Sequence, residues 1–305
     1  MKALLKTICV LSVVLVGQAR VQAQLAISIA LDRSSYVTDE RIDAVITIEN
    51  RAGKPIALGG PGGASWLQFD LKRSDGQTIN AFNGEPKAET TMLKQGATLT
   101  RKINLTNFYP VNEAGSYLVS CSVYFPDLQR WIGSGGKSLF TVNSPKSSFW
   151  ERTVGVPKSH PQFGRYRRYK LFTNKSSAFT PTGNLELQFL YVRITDEETG
   201  DNVSTFPIGP ILTYRDPQPT TDRDGNLCVL YMAGPQIYQY VVLDVDGAIK
   251  DQQAYKPTTT SPALMMTREG SVSVRGGRLV DTIAEANQQR EDNLKVKSLA
   301  DRPNR

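Results

Sequence analysis

The densest group of chemically active side chains is a run of basic and aromatic residues in the second half of the chain. It occupies five neighbouring positions, Arg165, Tyr166, Arg167, Arg168 and Tyr169. Basic side chains interleaved with aromatic rings can bind phosphate, anionic glycans or single-stranded nucleic acid. In a β-strand, Tyr166 and Arg168 would share one face and Arg167 and Tyr169 the other, with the charges in solvent and the rings covering a sheet. These five residues are therefore candidate binding residues.

The residues that catalysis most often uses are scarce. The chain has one histidine, His160, and no Gly-x-Ser-x-Gly sequence. A serine hydrolase would therefore lack its usual nucleophile turn and would have a single histidine available as its base. One histidine and few cysteines also make a zinc site hard to build. We therefore expect no catalytic residue, no metal ligand and no cofactor. A hydrolase using the acidic residues Asp196, Glu197 and Glu198 is an alternative, although acids in a turn between strands are usually solvated.

Two loops imitate ligand-binding motifs and then depart from them. Gly133–Ser138 ends like a phosphate-binding loop, but Trp131 occupies a position where that motif needs glycine. Asp222–Asn226 begins like a calcium loop, but Ala233 stands where the bidentate acid belongs. Both segments are predicted to be hairpin turns.

The start of the chain has the pattern of a secretory signal peptide. Lys2 and Lys6 precede the apolar run Ile8–Val16, and cleavage is predicted between Ala23 and Gln24. The mature protein is therefore expected to be exported, periplasmic or extracellular, with no transmembrane segment. The net charge of +7 includes the three cations of this segment. The remaining mildly basic balance does not indicate a nucleic-acid partner.

The cysteines of the mature chain lie in two alternating segments. Cys121 belongs to one predicted strand and Cys228 to another, in different halves of the chain. A disulfide between them would have to cross from one half to the other. The alternation favours two buried thiols that act as small hydrophobic side chains.

Alternating apolar and polar residues dominate from residue 24 to residue 143. About seven short strands separated by turns rich in glycine, proline and asparagine predict a β-sandwich. Trp66 stands where such sandwiches often bury an aromatic side chain, and Gly115-Ser116-Tyr117 precedes a long strand. The fold class is therefore all-β, beginning with an Ig-like sandwich.

A resemblance rests on residues within this region. Tyr36 to Ile42, then Val45–Asn50, Lys54–Ile56 and Gly115–Tyr117, together resemble an exported bacterial Ig-like domain. The pattern is similar to that of the intracellular proteinase inhibitor type and of macroglobulin-like domains. It covers residues 25–143 and implies a fold; the inhibitor type further implies protease inhibition through a loop, here Gly59–Gly63 or Gly133–Gly136. A signal peptide is not part of that type.

The remaining sequence divides into three segments. A polar linker is predicted over 144–164, a hairpin-rich antiparallel β domain over 165–279, and a polar tail, a frayed helix or disordered, over 280–305. Within the β domain, turns at Gly183, Gly225 and Gly270 each open an alternating strand, which gives a weak repeat of 42–45 residues. Consecutive hairpins could form an open sheet, a second sandwich or part of a propeller.

Export joined to an Ig-like pattern without paired catalytic groups indicates a binding or structural module of the bacterial cell envelope rather than an enzyme. Its expected partner is an unidentified protein or glycan of the envelope, met through sheet edges and loops. Protease inhibition and carboxylate-dependent hydrolysis are the two alternatives.

Overall fold

The protein is all-β, as the sequence predicts. The structure, a computed structural model, describes residues 25–145, 148–180 and 183–280, with side chains left undescribed at 176–186. The predicted signal peptide, its cleavage site Ala23–Gln24 and the tail after Val280 lie outside these residues. The described part contains β-strands and three short 3₁₀ turns, at Pro61–Gly63, Leu105–Asn107 and Pro126–Leu128. The chain forms two compact units.

The first unit is a sandwich of two sheets around one core. Its strands are β1 (Leu25–Leu31), β2 (Ser35–Val37), β3 (Asp43–Asn50), β4 (Ile56–Leu58), β5 (Leu67–Arg73), β6 (Thr91–Leu93), β7 (Thr98–Asn104), β8 (Gly115–Phe125), β9 (Arg130–Gly133) and β10 (Ser138–Asn143). One sheet has the order β1-β3-β7, and the other has the order β2-β10-β8-β5 with β9 also paired to β8. β2 runs parallel to β10, β4 pairs with β6, and the other pairs of the two sheets are antiparallel. Alternate residues of both sheets point into the shared core, as in Ig-like sandwiches.

Two aromatic side chains anchor this core. Trp66 is fully buried at the start of β5, and its indole Nε1 donates a hydrogen bond to the Glu89 carbonyl at 2.7 Å. The Tyr117 hydroxyl, near the start of β8, donates to the Glu113 carbonyl at 2.8 Å. A tyrosine that bonds back to the chain a few residues upstream is a recurrent device of Ig-like sandwiches.

A buried polar network around the short strand β2 accounts for two residues of the sequence pattern, Tyr36 and Glu40. The Arg33 guanidinium donates to Glu40 Oε1 at 2.5 Å, and the Val37 amide donates to Oε2 at 2.9 Å. The Tyr36 hydroxyl donates to Asp32 Oδ1 at 2.5 Å. Burial raises the pKa of Glu40, and the Arg33 charge and the Val37 hydrogen bond only partly offset that rise. These residues therefore stabilise the fold of the first unit rather than form a binding surface.

The second unit is built from the strands that follow, apart from the segment 176–186. They are β11 (Trp150–Gly155), β12 (Tyr166–Thr180), β13 (Gly183–Asp196), β14 (Asn202–Pro210), β15 (Gln218–Thr221), β16 (Leu227–Gly234), β17 (Ile237–Leu243), β18 (Ile249–Lys256), β19 (Ala263–Met266), β20 (Val272–Arg275) and β21 (Arg278–Val280). One sheet has the order β11-β12-β13-β14, the other β15-β16-β17-β18-β21, and β19 pairs with β20.

These two sheets share a core, so of the three arrangements left open by the sequence the second sandwich is the one observed. The core contains Tyr169 and Leu171 from β12, side chains from β13, and Val229 and Val241 from the facing sheet. β16 is buried on both faces, because Cys228 and Leu230 point away from this core into a second cluster with side chains of β19 and β20. Five consecutive residues, Leu227–Tyr231, are buried.

The internal repeat has a structural basis that differs from the predicted hairpin unit. β11–β14 and β15–β18 are two consecutive four-stranded meanders. The turns at Thr199–Asp201 and Val245–Gly247 occupy equivalent places, between the third and fourth strand of each meander. The turns at Gly183 and Gly225 do not correspond, because Gly183 opens a third strand and Gly225 precedes a second one.

The segment expected to be an irregular linker, 144–164, includes a strand. β11 lies within it and pairs with β12, from Trp150 opposite Leu171 to Gly155 opposite Tyr166. Its residues are mostly exposed on both faces, since β11 is the edge of its sheet. An edge strand of this kind lacks the alternation of apolar and polar residues that predicts the other strands.

Candidate functional site

The basic and aromatic run from Arg165 to Tyr169 alternates between the two faces of β12, but not with all its charges in solvent. Tyr166 is 51% exposed, whereas Arg167 is 2% exposed and Tyr169 is fully buried. Arg168 points outward with Tyr166. The expectation that every charge of the run projects to solvent is wrong for Arg167, whose guanidinium lies inside the unit.

The outward face carries cross-strand ion pairs. Arg168 Nε donates to Glu197 Oε2 at 2.6 Å, and a second guanidinium nitrogen contacts Oε1 of the same carboxylate. Lys170 Nζ lies 3.5 Å from Glu151 Oε1. The hydrogen bond from Arg168 lowers the pKa of Glu197. The cations of this face thus already have carboxylate partners.

The inward face contains a buried ion pair. Arg167 Nη1 donates to Asp196 Oδ2 at 2.6 Å, and Nη2 contacts the Gln162 side-chain oxygen. The Tyr169 hydroxyl donates to the Gly225 carbonyl at 2.9 Å. Burial raises the pKa of Tyr169 above its ordinary range, so this hydroxyl stays a donor. Both residues tie β12 to neighbouring turns.

Asp196 accepts hydrogen bonds with both of its carboxylate oxygens. Oδ1 accepts from the amides of Glu198 and Thr199 at 3.0 and 3.2 Å, and Oδ2 accepts from Arg165 at 3.3 Å as well as from Arg167. Burial acts to raise the pKa of Asp196, but these hydrogen bonds and the Arg167 charge lower it overall. A general acid needs a raised pKa. Their lowered pKa values disfavour Asp196 and Glu197 as general acids.

Both ring nitrogens of His160 are engaged. Nε2 lies 2.7 Å from Asp246 Oδ2, and Nδ1 accepts a hydrogen bond from the Gln162 amide at 3.1 Å. Because Nδ1 is an acceptor, Nε2 carries the proton and donates to Asp246. This arrangement leaves no free nitrogen to act as a base toward a substrate.

A polar cavity of 470 Å³ opens beside these groups in the second unit. It is lined by the loop from His160 to Gln162, by Arg165 and Arg167, by Asp196 and the following turn, and by Asp246. Three of the five candidate binding residues, Tyr166, Arg168 and Tyr169, do not line it. The sequence pointed to the run and, separately, to Asp196 and its acidic neighbours as hydrolase candidates. It did not indicate that the two pair with each other or that Asp246 lies beside them.

A second cavity, of 560 Å³, is a groove in the first unit that the sequence did not indicate. It lies between the start of β1 on one side and β9 with the loop after it on the other. Its lining includes Trp131, Ile132 and two cations, Arg51 and Arg130, and no carboxylate. In the sequence, Trp131 marks only a departure from a phosphate-binding motif.

Both strands that border the groove have an edge turned away from their sheet partners. In the described residues β1 pairs only with β3, and β9 pairs only with β8. The groove is closed at one end, where the Gly135 amide donates to the Ile27 carbonyl at 3.0 Å. Ser134 holds this loop by donating to the Gly136 carbonyl at 2.7 Å.

The two loops predicted as alternatives for protease inhibition differ in how they are held on the first unit. Gly133–Gly136 is tied to β1 and β8 through Gly135 and Ser134. In Gly59–Gly63, a 3₁₀ turn begins at Pro61, and Gly62 has φ 61°. Neither loop presents an extended segment to a protease cleft.

The remaining sequence motifs are structural. Cys121 and Cys228 are buried free thiols, and burial raises the pKa of each to about 11. Asp222 accepts hydrogen bonds from the amides of Asp224 and Asn226 and so stabilises its hairpin turn. In the part of the chain that the structure describes, no three histidine, cysteine, aspartate or glutamate side chains form a metal-binding group.

Comparisons with known proteins leave the chain without an assigned family. No family model and no curated protein matches it. Among solved structures, the periplasmic chaperone SfaE is 11% identical, with a TM-score of 0.24 over 75% of this chain and 98% of that one. The Salmonella enterica SafA pilin in complex with the SafB chaperone is 13% identical, with a TM-score of 0.23 over 76% and 96%. At these TM-scores neither similarity carries an argument.

None of the helices in the described residues is long and apolar enough to cross a membrane.

Proposed function

We propose that this protein is an exported, non-catalytic binding module of the bacterial cell envelope. Its first unit would hold an extended, acidic segment of a partner protein in the groove between β1 and β9. The observation that carries this proposal is the groove itself, which joins the free edge of β9 and the start of β1 to two arginines. Further along β1, the Ile27 and Ile29 carbonyls already accept from Gly135 and Ser138. An extended segment can pair with a strand edge through its backbone, while its side chains provide specificity.

The size of the groove suits a short extended segment. One residue of a strand lying between neighbours in a packed sheet occupies about 160 Å³, given its rise and the spacings between strands and sheets. A cavity of 560 Å³ therefore holds about three residues. Trp131 and Ile132 supply apolar surface for alternate side chains.

The charge of the groove favours an acidic segment. Arg130 has no ion-pair partner among the described residues, and Arg51 shares only the half-exposed carboxylate of Glu49 at 2.8 Å. Carboxylates of a bound peptide would complete these pairs and speed its association.

The edge strands of the two units differ in how they are protected. β14, at one edge of its sheet, contains Pro207 and Pro210 and is irregular where it pairs with β13. Proline and bulges at an edge prevent pairing with another chain. β9 contains neither proline nor a charged residue beyond Arg130. An edge left open in this way fits a strand that receives a partner.

Binding of short peptides tests this proposal. Fluorescence anisotropy with labelled extended peptides of acidic, neutral and basic sequence should give tightest binding to the acidic set. Arg130→Glu should weaken that binding about tenfold or more, because it removes a favourable charge and adds a repulsive one. Arg101→Glu makes the same charge change on β7, away from the groove, and should leave binding unchanged.

Two results would overturn the groove as the binding site. One is equal loss of binding in Arg130→Glu and Arg101→Glu, which would indicate attraction to net charge alone. The other is failure of bound peptide to slow amide hydrogen exchange in β1 and β9.

Export is tested separately. The form recovered outside the cytoplasm should begin at Gln24 on N-terminal sequencing. Recovery of a cytoplasmic chain that keeps residues 1–23 would contradict export without bearing on the groove.

A further inference from the structure

The polar cavity of the second unit contains charges of both signs that are not fully used by the fold. Its volume of 470 Å³ lies within the range of about 300–1,000 Å³ typical of small-molecule sites. The Arg167–Asp196 pair stabilises the loops around it. A ligand could bind the donors and acceptors of the lining that this pair does not use.

Two arginines that line the cavity have donors that the fold does not fully use. Arg165 is half exposed, and in the described residues its guanidinium makes one long hydrogen bond, of 3.3 Å, to Asp196 Oδ2, which Arg167 already approaches at 2.6 Å. Arg167 is 2% exposed, and its Nε has no hydrogen-bond partner in the described residues. A buried guanidinium nitrogen without an acceptor is costly, and it calls for one from water or a ligand.

Two carboxylates in the same lining also have spare capacity. The side chain of Asp201 has no ion-pair or hydrogen-bond partner in the described residues. Asp246 binds His160 through Oδ2, while its Oδ1 lies 3.8 Å from Arg167, beyond hydrogen-bond distance. Asp201 and the Oδ1 atom of Asp246 therefore remain available to a cation.

We propose that this cavity binds a small zwitterion of the α-amino acid type. The ligand carboxylate would accept from Arg165 and from Arg167 Nε, and its ammonium group would donate to Asp201 and Asp246. A simple anion would leave the two carboxylates unpaired beside it, and a simple amine would leave the two donors unpaired. Only a ligand that carries an ammonium group and a carboxylate on the same carbon uses both sets. This site lies in the second unit and does not depend on peptide binding in the first.

Isothermal titration of the full chain with matched small molecules tests the assignment. The probes are L-alanine, propionate, propylamine and glucose, which carry both charges, one charge of either sign, or none. L-alanine should bind, and the other three should bind about tenfold more weakly or not at all, since each charged hydrogen bond contributes at least that factor.

Paired variants locate the site. Arg165→Gln and Asp201→Asn should each weaken L-alanine binding about tenfold. Arg168→Gln, one face away on β12, and Asp224→Asn, in another turn, should leave it unchanged. Asp201 is exposed, so Asp201→Asn is expected to fold even if Arg165→Gln does not, and circular dichroism checks both.

The possible outcomes separate clearly. No binding of L-alanine up to about 10 mM would overturn the proposal. Equal binding of propionate would replace it with a simple anion site, and preferential binding of glucose with a sugar site. Loss of binding in Arg168→Gln to the same extent as in Asp201→Asn would also contradict it.

Discussion

Among the described residues, each unit contains an arginine–carboxylate pair with little exposed surface, Arg33–Glu40 in the first and Arg167–Asp196 in the second, but a different partner lies deepest. The Glu40 side chain is 1% exposed while Arg33 is 13% exposed; Arg167 is 2% exposed while Asp196 is 5% exposed. The pKa values of the two carboxyls shift in opposite directions, upward for Glu40 and downward for Asp196.

The two carboxylates differ in the number of hydrogen-bond donors that face them. The Glu40 carboxylate accepts from one guanidinium and one backbone amide, which do not fully replace the water lost on burial. Asp196 accepts from two guanidinium groups and two backbone amides, which do. In the second unit the group without a hydrogen-bond partner among the described residues is on the arginine instead, at Nε of Arg167. The burial of a carboxyl group alone therefore predicts neither the direction of its pKa shift nor the free energy that its ion pair contributes.

The largest expected effect comes from removing the buried cation. Arg167→Met should lower the free energy of unfolding of the second unit by about 3–5 kcal/mol, because it strands Asp196 in the interior. Arg33→Met should lower that of the first unit by only about 1–3 kcal/mol, because Glu40 can take up a proton. Chemical denaturation with hydrogen exchange resolved by peptide reports on each unit separately.

Arg168→Met is the matched control, since it changes an exposed arginine next to Arg167. It should alter stability little. Equal losses from Arg167→Met and Arg33→Met would show that donor number does not distinguish the pairs.

A smaller effect is expected at Glu40. Glu40→Ala leaves the Val37 amide unpaired and should cost the first unit about 1–3 kcal/mol. Glu40→Gln keeps one acceptor oxygen for either the Val37 amide or Arg33, so at pH 7 it should cost less than Glu40→Ala. Asp196→Asn, by contrast, should destabilise the second unit, because it replaces an acceptor with a donor facing arginines. Urea denaturation of the three variants measures this, and a Gln variant as unstable as the Ala variant would contradict it.

The buried hydroxyls should give a further, smaller difference. Tyr169→Phe loses one neutral hydrogen bond to Gly225 and should cost about 1 kcal/mol. Tyr36→Phe loses a bond to the charged Asp32 and should cost about 1.5–3 kcal/mol. Thermal unfolding of both variants orders the two costs, and the reverse order would count against a charged partner at Tyr36.

The least pronounced effect is on pH dependence, and its sign should differ between the units. A raised pKa means that the contribution of Glu40 is fully present below its ordinary value of 4.5 and is lost as the pH rises through the folded-state value. The lowered pKa of Asp196 means that its contribution is present above its ordinary value of 3.8 and is lost as the pH falls below it.

Acidification from neutral pH toward 4.5 should therefore strengthen the Glu40 contribution to the first unit, while the Asp196 contribution to the second persists until lower pH. Glu40→Gln should abolish the first dependence and Asp196→Asn the second. Stability that changes with pH in the same direction at both sites would refute the assigned shifts.

Much of the fold could be predicted because the strands alternate. Cys121 and Tyr117 on β8, and Tyr169 on β12, lie on the faces that their spacing predicts. The sequence pattern does not predict β11, because an edge strand with both faces in solvent has no alternation of apolar and polar residues. Whether the second half forms a sandwich depends on contacts between the two meanders. The alternation of residues within single strands does not predict such contacts.

The candidate sites were less predictable. Arg167 shares a face with Tyr169 in the sequence, but its burial is made tolerable by Asp196, which lies 29 residues away. The groove depends on a gap between β1 and β9, whose residues are distant in the chain and not paired to each other. Sites formed in this way become visible only once the strands are placed in space.

The double burial of β16 matters before the protein is folded. Residues 227–233 read Leu-Cys-Val-Leu-Tyr-Met-Ala, with no charge, no proline and no glycine. A segment of this composition is prone to intermolecular cross-β assembly when it is exposed. In the native state β17 and β15 cover its two edges, and core side chains cover both faces. The speed with which the local β16–β17 hairpin closes therefore governs how long the newly made chain remains liable to aggregate.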